Sequence, residues 1–233
     1  MSKWIHGPKH YWTILIALLF LIFLTAFMEE HSVLYILFAF SLLWVFGSVI
    51  FTIRKTRTSA IIAIISGVIA LISGFLWAVP GVSELLTIHA FIVCALSYAV
   101  FIFVAILCIV RSVFYGQRVT MDRIVGSVCG YLLVGLCFAF VFAALDIINP
   151  SSFDFGGNAT HTIENFRDFI YFSYSTLATI GYGDMLPTSP LTRILSSLEG
   201  IVGSIYLVVM VARLVGMQVS QSARNALDQI EEK

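Results

Sequence analysis

Long apolar runs alternate with short polar loops along almost the whole chain. Six of the runs approach or exceed the roughly 20 residues that a helix needs to cross a hydrocarbon layer of about 30 Å. They cover residues 11–28, 33–53, 59–78, 85–110, 124–145 and 191–215. A seventh run, 166–178, is too short to span as a helix and indicates a re-entrant segment. The pattern therefore predicts an all-α integral membrane protein with six transmembrane helices and one re-entrant helix.

The charged residues of the loops predict the orientation of these helices. Short cytoplasmic loops collect lysine and arginine, and basic residues occur here in every second loop. They are Lys3, Lys9, Arg54, Lys55, Arg57, Arg111, Arg118, Arg123, Arg224 and Lys233. We therefore expect a multi-pass protein of the cell membrane with both termini in the cytoplasm and the re-entrant segment entering from outside. A cleaved signal peptide over 1–28 is the alternative for the first run, although no small-residue cleavage pattern precedes Glu29.

Composition agrees with a membrane location and narrows the partners. Hydrophobic residues make up 60% of the chain and charged residues 11%, whereas soluble domains carry about 25% charged residues. Acidic and basic residues balance at thirteen each, and no basic stripe with interleaved aromatics indicates a nucleic acid. The four cysteines lie in apolar runs without metal-ligand spacing, so reduced thiols are expected. We expect no cofactor, and we expect lipid, ions and further copies of the chain as partners.

The polar stretch RSVFYGQRVTMDR divides the chain into two parts. We predict a four-helix peripheral domain over 1–110, a cytoplasmic linker over 111–123, a domain around the re-entrant segment over 124–215 and a short cytoplasmic tail over 216–233. The fourth apolar run carries no lysine or arginine before Arg111. A voltage sensor needs several basic residues, because each charge contributes only about 2.3 kcal/mol per 100 mV. The sequence therefore argues against steep voltage dependence.

Residues 176–184, TLATIGYGD, interrupt the apolar pattern of the second part. Non-helical backbone at membrane depth survives only where protein buries it or where it lines a water-filled cavity. Gly181 and Gly183 reach positive φ without strain, so the strand can turn successive carbonyls to one side. The bulky residues that alternate with the glycines, Ile180 and Tyr182, would then point their side chains the other way, into the protein. Carbonyls aimed at a common axis can replace the water shell of a cation, and four chains around that axis would complete the cage.

The sequence TIGYG at 179–183 resembles the selectivity filter of potassium channels. The resemblance continues through Asp184 and Pro187 to Arg193 near the start of the last helix, and it covers about 124–215. The four preceding helices match only in number and topology. As a whole the chain resembles a prokaryotic potassium channel of the voltage-gated-like superfamily, with six helices and a pore loop but without voltage-sensor arginines.

The resemblance implies a role for each residue around the filter. Potassium sites would be formed by the carbonyls of Thr179, Ile180, Gly181 and Tyr182 and the Thr179 hydroxyl, with Gly183 completing the motif. Asp184 at the outer mouth would either concentrate cations or join a hydrogen-bond clamp behind the filter, with Tyr171 of the pore helix as its partner. Gly203 matches the glycine hinge of the inner helix.

Two further residues are candidates for supporting the filter. Ser175 stands where some family members carry an acid that faces the aspartate. Glu199 lies roughly two turns into the last run, where a carboxylate should face the bundle interior or water and have a partner. We expect Glu199 to bond serine or threonine hydroxyls of the pore helix and hold the filter region in place.

The resemblance implies passive conduction of potassium, the permeant ion, by a homotetramer that catalyses no reaction. Two alternatives stay open: a weakly selective cation channel, and a non-conducting membrane sensor subunit that keeps the pore fold. A transporter with alternating access is disfavoured because the two halves of the chain show no repeat. An enzyme is disfavoured because the polar residues form no constellation of nucleophile, base or metal ligands.

Overall fold

A computed structural model describes residues 10–25, 41–49, 57–78, 83–114, 120–156 and 166–231. The helices of the first part are α1 (His10–Thr25), α2 (41–49), α3 (Arg57–Ala78) and α4 (Glu84–Phe114). Those of the second part are α5 (Met121–Ile148), α6 (Phe166–Leu177) and α7 (Pro190–Glu231). Two short strands, β1 (Phe153–Asp154) and β2 (Leu186–Pro187), lie in the second part as well.

Four of these helices, α3, α4, α5 and α7, are long and apolar enough to cross a membrane. The chain is therefore a multi-pass membrane protein, helical apart from its one described strand pair. Helix α1 is apolar but shorter within the described residues. The expected total of six spanning helices stays a prediction, because the runs 11–28 and 33–53 lie partly outside the described residues.

Helix α5 forms the interior of the second part. It begins after Thr120, an N-cap whose hydroxyl accepts a hydrogen bond from the Arg123 amide at 3.4 Å. In its spanning part 61% of the residues are buried, against 22% in α7. Helix α7 consequently presents most of its apolar surface outward from a single chain.

The GxxxG pair on α5 lets two tyrosines approach its backbone closely. A Cβ atom at Gly126 would lie 3.0 Å from the Tyr11 ring of α1, and one at Gly130 would overlap the hydroxyl of Tyr206 on α7. That hydroxyl donates a hydrogen bond to the Ser127 carbonyl at 2.8 Å. Small residues on this face thus bring α1 and α7 against α5.

A short antiparallel ladder links the segment after α5 to the segment before α7. Phe153 pairs with Pro187 and Asp154 with Leu186. The Ser152 carbonyl accepts hydrogen bonds from the Thr188 amide at 2.9 Å and the Thr192 hydroxyl at 3.0 Å. The chain that leaves residues 179–183 is therefore fixed to the end of α5.

Two helix boundaries differ from those that hydropathy suggested. Helix α4 continues to Phe114 and α5 begins at Met121, so the described part of the expected linker 111–123 consists mainly of helix ends. Helix α7 continues through most of the expected tail, 216–233, to Glu231. Residues 217–231 contain no glycine or proline, so nothing in this sequence stops the helix where its apolar part ends.

Candidate functional site

The last turn of α6 anchors the start of the TIGYG motif, residues 179–183. The Thr179 amide donates to the Thr176 carbonyl at 3.0 Å. The amides of Ile180 and Gly181 both point to the Ser175 carbonyl, at 2.8 and 3.3 Å. These bonds give the first amides after the helix partners within the chain, so the backbone direction at the start of the motif is fixed by the last turn of α6. Ser175, expected to support the motif, makes these contacts through its backbone.

The backbone of the motif alternates in conformation. The φ angles are +57° at Thr179, +59° at Gly181 and +80° at Gly183, whereas the two residues between them have negative φ. Neighbours of opposite handedness can turn successive peptide groups the same way, unlike the residues of an ordinary strand. A β-branched residue such as Thr179 adopts positive φ only at a cost of about 1–2 kcal/mol. Such strain is typical of functional sites.

A single chain leaves the bulky side chains of the motif exposed. Ile180 is 55% exposed and Tyr182 is 68% exposed, although the sequence suggested that both point into the protein. The Tyr182 ring stacks on the Tyr171 ring with a centroid distance of 6.0 Å and an interplanar angle of 9°. The chain therefore leaves more than half of each side chain exposed.

Asp184, directly after the motif, is held by Tyr171 of α6. The Tyr171 hydroxyl donates a hydrogen bond to Asp184 Oδ2 at 2.7 Å. This bond to a carboxylate raises the pKa of the Tyr171 phenol to about 12. The geometry is that of the clamp considered for Asp184, and the Asp184 side chain stays exposed at the same time.

Glu199 lies in a buried contact between three helices. Its side chain is completely buried, and its Oε1 atom is hydrogen-bonded to the Ser173 hydroxyl of α6. The same hydroxyl lies 2.6 Å from the Gly135 carbonyl of α5. The pore-helix hydroxyl expected beside Glu199 is that of Ser173, which the sequence did not single out.

A signal for Ser173 exists in the sequence. The buried face of α6 includes 166, 169, 170, 173 and 177, positions that recur at helical spacing. Ser173 is the polar residue within this otherwise apolar series. A lone hydroxyl on an apolar helix face needs a partner in the interior.

The end of α6 meets both neighbouring helices at Leu177. The Tyr131 hydroxyl of α5 donates to the Leu177 carbonyl at 3.1 Å, and this group is among the last carbonyls of α6, which lack helical partners. A Cβ atom at Gly203 of α7 would lie 2.8 Å from the same carbonyl oxygen. Gly203 therefore has a packing role, because only a residue without a side chain fits this close to Leu177. Helix α7 is continuous through Gly203. The role of Gly203 as a hinge stays a prediction.

Comparison with known proteins gives matches in this second part of the chain. A family model described as "Ion channel" matches residues 130–220, less than half of the chain. Over 76 residues the chain is 30% identical to "Potassium channel K2" of Plasmodium berghei (strain Anka), which covers 33% of this chain and 5% of that protein. Over 101 residues it is 30% identical to "Two-pore potassium channel 4" of Arabidopsis thaliana, which covers 42% of this chain and 34% of that protein. No solved structure matches.

The matched region contains the candidate site. It extends from within α5 through α6 and the TIGYG motif and along most of α7. The chain spans about a third of the length of the Arabidopsis relative and about a twentieth of the Plasmodium one. The chain is therefore similar to ion channels, and to proteins named as potassium channels, in this region. The six-helix type and a prokaryotic origin stay predictions.

Proposed function

We propose that the chain is one subunit of a potassium-selective channel in which four copies surround a single pore. The observation that carries the proposal is the alternation of positive φ along 179–183, at the end of a short helix in a region similar to ion channels. Carbonyls that share one side can replace the hydration shell of a cation. One chain supplies one wall, and four walls around an axis supply a complete set of oxygens.

In this proposal K⁺ is the conducted ion and the backbone of the motif is its binding surface. The carbonyls of Thr179, Ile180, Gly181 and Tyr182 and the Thr179 hydroxyl form successive sites, and Gly183 completes the turn of the chain outward. Several weak sites in a row let ions bind without being trapped. The C-terminal end of α6 adds partial negative charge next to the inner sites.

The exposed apolar surface supports further copies of the chain and lipid as the partners. Ile180 and Tyr182 of the motif are more than half exposed, and only 22% of the residues in the spanning part of α7 are buried. Packing between subunits would cover the side chains of the motif, and lipid would cover the outer helices. With both termini cytoplasmic, as the loop charges predict, the motif opens toward the outside of the cell membrane.

The proposal is tested by flux from liposomes that contain the purified full chain alone. We expect K⁺ efflux, with bi-ionic reversal potentials that show strong preference for K⁺ over Na⁺. Reversal potentials that show nearly equal permeabilities would identify a weakly selective cation channel instead. The absence of flux would identify a non-conducting subunit.

Removal of the Tyr171 hydroxyl is expected to release the outer end of the filter. In Tyr171→Phe the ring still stacks on Tyr182, but Asp184 loses its donor, so we expect a severalfold fall in open probability in single-channel recordings. Tyr98→Phe is the matched control, because it removes a hydroxyl on α4 and keeps the stacking on Phe140. An unchanged Tyr171→Phe channel, together with reduced conductance in Asp184→Asn, would favour the cation-concentrating role for Asp184.

A further inference from the structure

The Glu199 carboxyl group lies where no positive charge would stabilise its ionised form. It is completely buried in a membrane-spanning helix, and its Oε2 atom has no hydrogen-bond partner among the described residues. No basic side chain in the described part of the chain interacts with its charge. An isolated carboxylate in such a position is strongly unfavourable.

The hydrogen bonds between Glu199, Ser173 and Gly135 also favour a protonated Glu199. Ser173 has one hydroxyl proton, but its oxygen lies in hydrogen-bond contact with both Glu199 Oε1 and the Gly135 carbonyl. If Glu199 is ionised, both neighbours only accept, and one proton cannot serve two contacts fully. If Glu199 is protonated, it donates to the Ser173 oxygen, and Ser173 donates to the Gly135 carbonyl. Each contact then contains one proton.

We propose that Glu199 is held in its protonated, uncharged form and that the relay Glu199–Ser173–Gly135 is a positioning device for the potassium filter. This inference rests on the proposed function for its link to selectivity. Glu199 acts through Ser173 and touches no conducted ion.

The relay lies where it can control the depth and tilt of α6. Two residues after Ser173, the Ser175 carbonyl accepts hydrogen bonds from the amides of Ile180 and Gly181 in the motif. Glu199 and Gly203 are four residues apart and so share one face of α7, and both contact α6, at Ser173 and Leu177. A hydrogen bond at one end and close packing at the other thus fix α6 between α5 and α7.

The titratable side chains near Glu199 do not favour loss of its proton. The titratable side chains that interact with its charge are Tyr131 and Cys137 on α5 and Tyr174 on α6. All three are uncharged when protonated, and the Tyr131 and Tyr174 hydroxyls donate to the carbonyls of Leu177 and Leu132. None of them supplies a positive charge that would favour ionised Glu199.

Three variants of the full-length protein test the relay. Glu199→Gln keeps the shape and one donor toward Ser173, so it should retain the K⁺/Na⁺ permeability ratio and the thermal midpoint of the wild type. Glu199→Leu and Ser173→Ala remove the relay and should lower the ratio severalfold, because α6 loses the hydrogen bonds that fix its position between α5 and α7. Ser66→Ala is the matched control, because that buried serine bonds carbonyls of its own helix, α3.

A spectroscopic readout tests the proton directly, and it does not depend on conduction or on how well Glu199→Leu folds. The infrared spectrum of the wild type at neutral pH should contain the band of an un-ionised, hydrogen-bonded carboxyl group, and Glu199→Gln should lack it. Absence of that band in the wild type, or a Glu199→Gln channel as impaired as Glu199→Leu, would overturn the inference. A wild type that shows the band but passes no K⁺ would refute the proposed function and leave the protonated relay standing.

Discussion

Alanine in place of Gly181 is expected to abolish selective potassium flux. Gly181 has a φ of +59°, which costs an L-residue about 1–2 kcal/mol. In the proposed tetramer this cost would occur four times, about 4–8 kcal/mol in total, and it would add to the same cost at Thr179, whose φ is +57°. We expect the added strain to drive the motif into another conformation. The Gly181 carbonyl, which we propose lines the pore axis, would then rotate away. Liposome flux and bi-ionic reversal potentials measure the loss.

Two controls separate this backbone effect from a general effect of alanine. D-Alanine, introduced at 181 by semisynthesis, adds the same methyl group but favours positive φ, so it should restore conduction. Gly47→Ala on α2 adds a methyl group where no atom lies within 4 Å, and it should conduct normally. Wild-type flux and selectivity in Gly181→Ala would show that the conformation of this residue does not matter for permeation.

Gly203→Ala is expected to displace α6, the helix that leads into the proposed filter. The added Cβ would lie 2.8 Å from both the carbonyl oxygen and a side-chain carbon of Leu177, so α6 and α7 must move apart. Overpacking of this kind costs about 1–3 kcal/mol. We expect a lower K⁺/Na⁺ permeability ratio and a thermal midpoint several degrees below that of the wild type.

This result distinguishes packing from a hinge. If Gly203 served only as a hinge, alanine would lower the open probability and leave the permeability ratio and the thermal midpoint unchanged. Gly200→Ala is the matched control one turn earlier, because its Cβ would meet only the Thr176 carbonyl at an ordinary 3.8 Å. Equal effects of the two alanines on selectivity would contradict the contact assigned to Gly203.

The sequence was most informative where one residue type has few structural uses. Two glycines in alternation, at membrane depth and after a short helix, require irregular backbone, and the structure has positive φ at both. Glu199 was predictable in the same way, because an acid in an apolar helix needs a partner. Which hydroxyl that partner is depends on how α6 and α7 cross. The sequence therefore predicted a serine or threonine of the pore helix without identifying Ser173.

Helix ends and side-chain exposure were less predictable. Hydropathy marks where a helix leaves the membrane rather than where it ends. The end of the apolar run near residue 215 therefore did not predict the end of α7, which continues to Glu231. The side chains of Ile180 and Tyr182 were expected inside the protein, but one chain leaves them exposed. In the proposed tetramer, neighbouring copies of the chain would bury them, and one sequence does not show how those copies pack.

The central claim, that main-chain oxygens replace the water around a conducted ion, is tested most directly by anomalous diffraction from crystals of the full-length protein grown with Tl⁺ in place of K⁺. The account predicts a row of Tl⁺ peaks on a fourfold axis, ringed by the carbonyls of residues 179–182 from four subunits. Residues 179–183 without ordered Tl⁺ beside their carbonyls, or placed against lipid at the perimeter of the assembly, would contradict it.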